Sequence, residues 1–496
     1  MKREQRTKGS RAVSRFFIFL TLLIVLSCVD LYAQMPEQKA VAVRISLDEA
    51  VELAFKNNLS LETSRMDLAL KKRASNLSWN QFIPNVTAAG SLVRNNEAGT
   101  ITNTIPFGAP TPFPGAVING ITIPSGNLYD QILVTDPIGL PQWNIAGTIQ
   151  ASLNISLVMF ENIRRLQIDY EGGLLSYEKA KLQLERDVRK MYHNMLLLQE
   201  NIALLRMSFA NVERQVQMAQ ANYNAGLAPE LTLLQARVAR ENMRPIIDQA
   251  ESGLKLSMMQ FAMYLGLDFN TQLELIPISS NIDFIPLDVA QMISSAASKK
   301  PEIQELRQNI LMMQSARRIQ TFLLAPSLSL SWNNTSIFAG DPMKDQWFND
   351  MDRWRNSGSF TLSVALRLHS LIPWSTDSQA VRNLTDQIKM ANNGLTQMIN
   401  GTEIEIYNTV LSLERTRVTT EAQAQTVSLA QQAYRLTEQA YRAGLQDYFQ
   451  VQNAEQSLHQ ARVQMLEQQF NYLNGLIDLE YAIGVPFGTL SKRSGE

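Results

Sequence analysis

The chain has 496 residues, a formal net charge of −1 and 18% charged residues. This length allows two or three ordinary domains or one large elongated domain, and the near-zero charge gives no reason to expect a nucleic-acid partner. The three histidines, His193, His369 and His459, are too widely spaced to predict a metal site. We expect no cofactor, and because the chain lacks the common hydrolase and nucleotide-binding motifs, we expect no enzyme activity.

The N-terminal segment has the pattern of a secretory signal peptide. A basic leader is followed by an apolar run from Phe16 to Leu26, which is too short to span a bilayer as a helix. We predict that residues 1–33 are removed by cleavage after Ala33. The single cysteine, Cys28, lies in the sequence VLSC and offers lipidation as an alternative, although cleavage after Ala33 is favoured. In either case no disulfide is expected.

The rest of the chain is predicted to contain two copies of one plan. The sequence YNAGL at residues 223–227 has a counterpart, YRAGL, at residues 441–445, which is 218 residues further on. The same offset relates Gly266 to Gly484. Repeats of this length are too long for a solenoid, so we predict duplicated halves. Their bounds are residues 45–266 and 285–488, followed by a C-terminal tail at residues 489–496.

Each half contains two stretches in which apolar and polar residues alternate. A period of two predicts strands with one apolar and one polar face. A soluble sheet with one wet face would explain the pattern. In an exported chain that is otherwise helical, however, such strands favour a transmembrane barrel, whose strands need about 9–11 residues each. The predicted strands are residues 86–94, 143–159, 324–333 and 360–369.

The connections between these strands bear on how a barrel could form. Residues 95–142 and 333–357 are polar and rich in turn-forming residues, so both are predicted to be loops. Four strands cannot close a barrel alone, because about eight is the practical minimum. We therefore expect several protomers to contribute strands to one barrel.

Long helices are predicted after the strands of each half. They run from about residue 162 to Ala225 and from about residue 376 to Ala443, with apolar residues spaced as in a coiled coil. Gly226 and Gly444 are expected to end these helices in the left-handed conformation. Pro229 and Asp447 suit the start of the returning helices. The predicted hairpin tips are residues 222–232 and 440–450.

This ordered set of features resembles the TolC family of bacterial outer-membrane efflux proteins, over about residues 45–488. The resemblance implies a mixed α and β fold and a homotrimer. Four strands per protomer would form a 12-stranded outer-membrane β-barrel, which a long periplasmic α-helical barrel would continue. The implied location is the bacterial outer membrane, in contact with its lipid and extending into the periplasm.

The resemblance also implies a function. The protein would be a passive exit duct of a tripartite efflux or type I secretion system, opened at its helical tips by a periplasmic adaptor (membrane fusion) protein. An inner-membrane RND, ABC or MFS transporter would supply the cargo, and the sequence does not separate drug, metal or polypeptide cargo. The implied adaptor-docking positions are Tyr223, Gly226, Leu227, Tyr441, Gly444 and Leu445.

The expected gate differs from that of a well-known family member, in which aspartates follow the second tip glycine by six and nine residues. Here those positions hold Gln450 and Asn453, and the first copy has Thr232 and Gln235. Together with Asp447 these residues are the gate candidates. We predict a gate that is closed by amides and packing and is weakly sensitive to divalent cations.

The alternative class is a periplasmic coiled-coil scaffold or adhesin-like interaction protein without a pore. In that case the tips would bind a partner and the strands would form a small soluble sheet. Membrane fractionation separates the two classes, because a protein that high salt or carbonate releases is not a channel.

Overall fold

The computed structural model describes most of residues 43–490. The predicted signal peptide and Cys28 lie outside the described residues, as do the start of the second predicted half and most of the C-terminal tail. The segments not described are residues 1–42, 97–99, 102–103, 114, 119–120, 124, 135–137, 140–141, 278–287, 341–350 and 491–496.

The fold is mixed α and β and dominated by helices, as the sequence predicts. The helices are α1 (Leu47–Asn57), α2 (Leu59–Asn76), α3 (Leu157–Asn224), α4 (Glu230–Tyr264), α5 (Val289–Lys299), α6 (Pro301–Phe322), α7 (Thr376–Arg442) and α8 (Tyr448–Ile483). The strands are β1 (Val43–Ile45), β2 (Asn85–Arg94), β3 (Thr100–Ile101), β4 (Thr104–Phe113), β5 (Ala116–Ile118), β6 (Ile121–Ile123), β7 (Gly126–Val134), β8 (Ile138–Gly139), β9 (Trp143–Ile155), β10 (Leu273–Leu275), β11 (Ser327–Ala339) and β12 (Arg355–Ala365). Short 3₁₀ turns occupy Ser78–Phe82, Met351–Arg353 and Leu368–Leu371.

The order of the main elements occurs twice along the chain. Two helices, α1 and α2, precede β2 and β9, which are followed by the long helix α3 and its returning partner α4. The elements α5, α6, β11, β12, α7 and α8 repeat that order. An origin by duplication remains a prediction.

The described residues form two compact units. The first unit contains the chain up to Ser64, residues 177–301 and residues from Asn400 onwards. The second contains residues 65–176 and 302–399. The first unit thus holds the ends of the long helices, and the second holds the main sheet.

The main sheet of the second unit has four strands in the order β12–β11–β9–β2, all antiparallel. The register places residues of like character opposite one another. Trp332 lies opposite Phe360 on one side and Ala151 on the other. Side chains of directly opposed residues share a face of the sheet, so the alternation in each strand produces one apolar and one polar face.

The four predicted strands exist, but three of them differ from the predicted bounds by more than one residue. The predicted strand 143–159 ends at Ile155, because from Leu157 the apolar spacing changes to that of a helix, with Met159 and Ile163 both buried. The predicted strand 324–333 begins only at Ser327, since Leu324 still closes the last turn of α6 by donating to the Thr321 carbonyl.

The two strands of the second half, β11 and β12, also extend beyond the predicted bounds at one end. β11 continues to Ala339, where Thr148 and Thr335 make a cross-strand hydroxyl contact at 3.1 Å. The predicted strand 360–369 instead spans Arg355–Ala365. Leu368 begins a 3₁₀ turn, and His369 therefore lies outside the sheet.

The connection between β2 and β9 was predicted to be a loop, and the structure shows nested strand pairs in its described residues. β3 pairs with β8, β4 with β7 and β5 with β6, each antiparallel. Isoleucines and threonines in this stretch favour strands. The prolines that suggested a loop are tolerated because each pair is a two-stranded ribbon, in which a proline can face an open edge.

The first unit is organised around the parallel pair β1–β10. The buried hydroxyl of Tyr192 lies 3.0 Å from the carbonyl oxygen of Ile45, in β1, and 2.8 Å from that of Ile276, just after β10. One side chain of α3 therefore contacts the backbone at both strands. Val188 and Phe261 pack in the same apolar cluster without exposure to solvent. Among the described helices, none combines the length and apolar character needed to cross a membrane.

Candidate functional site: the hairpin tips and the amphipathic sheet

Both hairpin tips have the same backbone geometry. Gly226 and Gly444 have φ angles of 71° and 72°, the left-handed conformation in which a side chain would be strained. Leu227 donates its N–H to the Asn222 carbonyl, and Leu445 does the same to Ala440. These bonds form the Schellman motif that caps a helix C-terminus, so the repeated Ala-Gly-Leu is a helix-ending signal.

The returning helices start differently. Asp447 is the N-cap of α8, and its carboxylate accepts a hydrogen bond of 3.0 Å from the Gln450 N–H. Pro229 occupies the N-cap position of α4 and offers no side-chain hydrogen bond, so it lies one residue before the helix, not within the first turn as its type suggested. The second tip therefore has a polar cap that the first lacks.

The predicted docking residues fall into two groups. Leu227 and Leu445 project into solvent with 75% and 79% of their surface exposed, and Tyr223 is also exposed. Tyr441, by contrast, is only 4% exposed and packs edge-on against Tyr448 with ring centroids 6.3 Å apart. Its ring supports the tip from inside, so the side chain of Tyr441 does not fit the docking role implied for it.

The gate candidates lie on outward-facing surfaces of the returning helices. Gln450 and Asn453 are exposed, whereas Val451 between them is fully buried. On α4, Gln235 is exposed and Thr232 is half-buried. These five candidates, with Asp447 included, are brought to the same two tip regions, and their direction relative to a pore remains a prediction.

The core below the tips contains a row of buried polar side chains that the sequence pattern was not used to predict. Tyr434, Tyr441, Tyr448 and Glu455 are buried and follow one another at intervals of seven residues. Glu455 accepts a hydrogen bond of 2.5 Å from the hydroxyl of Ser208 on α3. Burial raises the pKa of Tyr448 to about 12. The seven-residue spacing was visible in the sequence and could have predicted this row.

The sheet of the second unit presents two chemically different faces. Its apolar face includes Leu330, Trp332 and Phe360, and Phe360 is 68% exposed. The opposite face carries hydroxyl and amide side chains, with Arg355 the one charged residue among the described strand positions on that side. An exposed apolar face of this extent is the kind of surface that marks contact with a membrane or another protein.

The described part of the chain shows no candidate metal site. No group of three or more His, Cys, Asp and Glu side chains there is arranged to hold a metal ion. The site is therefore defined by surfaces: two exposed helical tips and a sheet with one apolar face.

Long helical hairpins joined to a four-stranded antiparallel sheet define the fold of TolC-like outer-membrane channels. The chain is similar to CusC, with a TM-score of 0.67 and 15% identity, covering 91% of this chain and 95% of that chain. It is similar to the Campylobacter jejuni CmeC outer membrane channel, with a TM-score of 0.68 and 15% identity over 88% and 85% of the two chains. For VceC from Vibrio cholerae the TM-score is 0.65 and the identity 14%, over 89% and 96%.

The amino-acid sequence agrees with this fold. Residues 50–266 match the model of the outer membrane efflux protein family, and among curated proteins none matches. The family match and the shared fold confirm the resemblance to the TolC family. They also confirm the predicted outer-membrane location and transport class, and because the family consists of passive channels, they confirm that the protein is not an enzyme.

Proposed function

We propose that this protein is the outer-membrane exit duct of a tripartite efflux or secretion system and works as a homotrimer. The observation that carries the proposal is the open amphipathic sheet. In the described part of the chain, β2 and β12 each pair with one neighbour only, which leaves both edges of the sheet available. Unpaired backbone groups at such edges are too costly to leave in lipid, so closure into a barrel is required there.

Three protomers satisfy this requirement. Each contributes β2, β9, β11 and β12, so that three copies supply the strands of a 12-stranded barrel. A barrel of that size exceeds the roughly eight strands whose interior side chains fill completely, and it leaves an aqueous lumen. The apolar face would contact lipid and the hydroxyl- and amide-bearing face would line the duct.

The tips are the proposed point of control. Leu227 and Leu445 are exposed although they are large and apolar, which fits contact with an adaptor protein at both tips. Gly226 and Gly444 set the turn that presents them. Thr232, Gln235, Asp447, Gln450 and Asn453 are the proposed gate residues beside these turns.

Alternate cysteine labelling tests the proposal directly. The only native cysteine is Cys28, so new cysteines on β12 can be followed in a Cys28→Ser background. We expect a water-soluble maleimide to label Ser363→Cys through the duct of membrane-embedded protein. Val364→Cys, on the lipid-facing side, should label only after detergent extraction. Equal labelling of both in membranes, or release of the protein by carbonate, would support the poreless scaffold instead.

A further inference from the structure

An exposed aromatic cluster lies at the end of the sheet where strands join helices. Trp79 is 62% exposed, and its ring stacks on that of Phe82 with centroids 5.6 Å apart. Phe82 contacts Phe160 at 5.4 Å. Trp79 and Phe82 lie in the turn before β2, and Phe160 lies in the first turns of α3, after β9. Aromatic side chains in such positions are typical of a membrane–water interface.

A cleft of about 390 Å³ lies beside this cluster. One face of α3 supplies its polar wall, because residues three and four apart lie on the same side of a helix. Gln81, next to Phe82 in the aromatic turn, closes another side. The remaining lining is apolar. The lining residues are Gln81, Asn162, Arg165, Leu166, Asp169 and Met312.

The two charged side chains that line the cleft, Arg165 and Asp169, form no ion pair with each other, and each has hydrogen-bonding capacity left for a ligand. Arg165 is exposed and makes no hydrogen bond or ion pair with the described part of the chain. One carboxylate oxygen of Asp169 pairs with the Lys71 ammonium at 3.2 Å, which leaves the other oxygen available. Gln81 and Asn162 add amide donors and acceptors between them. The cleft therefore offers one cationic and one anionic contact over an apolar floor.

We infer that this cleft binds the headgroup of a zwitterionic aminophospholipid of the outer membrane. The guanidinium of Arg165 would bind the phosphate, for which its planar donors are suited. The free carboxylate oxygen of Asp169 would accept from the primary ammonium. The acyl chains would pass the aromatic cluster and continue along the apolar face of the sheet. This inference rests on the proposed function, because it requires the sheet to lie in the membrane.

The cleft is unlike a site for free phosphate. Asp169 would repel an isolated dianion, whereas a headgroup that carries its own ammonium satisfies both charges at once. A primary ammonium also donates hydrogen bonds that the methylated ammonium of choline cannot. We therefore expect phosphatidylethanolamine to bind in preference to phosphatidylcholine and phosphatidylglycerol.

Native mass spectrometry of the purified full-length protein tests the site. Delipidated protein is mixed with each of the three phospholipids in detergent, and the bound lipid per protomer is counted. We expect saturable retention of phosphatidylethanolamine, a loss of fivefold or more in Arg165→Ala and partial recovery in Arg165→Lys. Asp169→Asn should abolish the preference for phosphatidylethanolamine over phosphatidylglycerol.

Arg164 provides the matched control. It is the neighbouring residue, is exposed and lacks a partner in the described part of the chain, but it does not line the cleft. We expect Arg164→Ala to retain lipid like the wild type. Equal loss in both variants, or equal retention by Arg165→Ala and wild type, would show non-specific lipid only and overturn the inference.

Carbonate extraction and conductance are measured on the same preparations. A wild-type protein that carbonate releases would overturn the proposed function and this inference together. A wild-type protein that is embedded and conducting, but shows no dependence on Arg165, would overturn the lipid site alone. Circular dichroism of each variant confirms that lost lipid does not reflect lost folding.

Discussion

The imidazole Nδ1 of His193 lies 3.0 Å from the side-chain oxygen Oδ1 of Asn474, and this contact joins α3 to α8 within the first unit. The ring also contacts Phe470 edge-on at 6.2 Å. Burial lowers the pKa of His193 to about 4, and the nearby positive charge of Arg189 acts in the same direction. His193 is thus neutral in the folded protein at neutral pH, with its position fixed by an amide.

This arrangement predicts a loss of stability in mild acid. Because the folded pKa is below the usual 6.5, the unfolded chain binds the proton first as the pH falls. The contribution of the neutral, buried His193 to the free energy of unfolding is complete above pH 6.5 and is lost progressively as the pH falls towards about 4. A shift of this size corresponds to about 3 kcal/mol per protomer.

Chemical unfolding of wild type and His193→Gln at pH 7.5 and pH 5 measures this effect. The comparison between the two proteins cancels other titrating groups, including Glu480. We expect the wild type to lose more stability than His193→Gln between these pH values. An equal loss in both proteins would show that His193 does not carry the effect.

Glu480 holds the end of the described chain. Its carboxylate accepts hydrogen bonds from the backbone N–H groups of Gly488, at 2.9 Å, and Leu490, at 2.7 Å. Glu480 is buried, and burial raises its pKa while these two bonds lower it. Removing the carboxylate would leave two N–H groups without an acceptor.

We therefore predict that Glu480→Ala destabilises the protein by about 2–4 kcal/mol. Glu480→Gln keeps one acceptor oxygen and should therefore lose less stability than Glu480→Ala. Hydrogen exchange of the Gly488 and Leu490 amides provides the local measurement, and we expect faster exchange in Glu480→Ala. Unchanged protection of both amides in that variant would contradict the assignment.

The parts of the fold that the sequence predicted were those with a local physical cause. The tip turns followed from Gly226 and Gly444, because a left-handed residue ends a helix wherever it occurs. The sheet faces followed from alternation around residues such as Leu362. The end of β9 was misjudged, since Leu157 and Met159 continue the strand period, although Met159 and Ile163 already have the spacing of a helix.

Contacts between distant segments were not predictable in the same way. Glu480 looks like any other glutamate on a helix, and its role depends on where residues 488–490 return to meet it. The family resemblance implied a docking role for Tyr441, yet neighbouring helices of the same chain bury its side chain. The pairing of β1 with β10 joins segments 230 residues apart, for example Val43 with Leu273.

Two glycines with the same backbone conformation should respond differently to alanine. Gly226 and Gly266 have φ angles of 71° and 72°, so each substitution imposes a conformational cost of about 1–2 kcal/mol. An added Cβ at Gly226 would meet nothing within 4 Å, whereas at Gly266 it would lie 2.3 Å from the Asn57 carbonyl oxygen. We expect Gly226→Ala to fold with a small loss of stability and Gly266→Ala to be severely destabilised.

Thermal unfolding of the two variants measures this difference, since the strain is common to both and the clash is not. Gly444→Ala serves as a second tip variant, because its surroundings are equally open. If Gly266→Ala were as stable as Gly226→Ala, the packing of Gly266 against α1 would be wrong.

The amide character of the gate candidates predicts a response to added charge. Gln450 and Asn453 are exposed and uncharged, so the wild-type channel should conduct in the presence of micromolar divalent cations. Gln450→Asp with Asn453→Asp would place six carboxylates at the mouth of a trimer. We expect cation block to appear in that variant and not in Gln456→Asp, which adds a carboxylate at an exposed position of α8 outside the gate candidates and serves as the charge control.

Single-channel recording in planar bilayers provides the measurement. Block of the wild type at micromolar cation would show that other groups form a cation site. Absence of block in the double aspartate variant would show that these two positions do not face the pore.

The two faces of β12 should differ in their tolerance of arginine. Leu362 lies opposite Leu330 on the apolar face, and Thr361 lies opposite Ser331 on the polar face. A charge facing lipid costs about 2–4 kcal/mol per site near the middle of the bilayer and little on the lumen side. Because a trimer would carry three copies, we expect Leu362→Arg to reduce carbonate-resistant protein strongly and Thr361→Arg to leave it nearly unchanged. The two substituted residues are adjacent in one strand, and both variants introduce the same side chain and the same charge, so they differ in the face of the sheet that is altered.

If the membrane tolerated both arginines, the apolar face would not contact lipid and the sheet would be soluble. If neither variant were embedded, the strand would be buried on both faces.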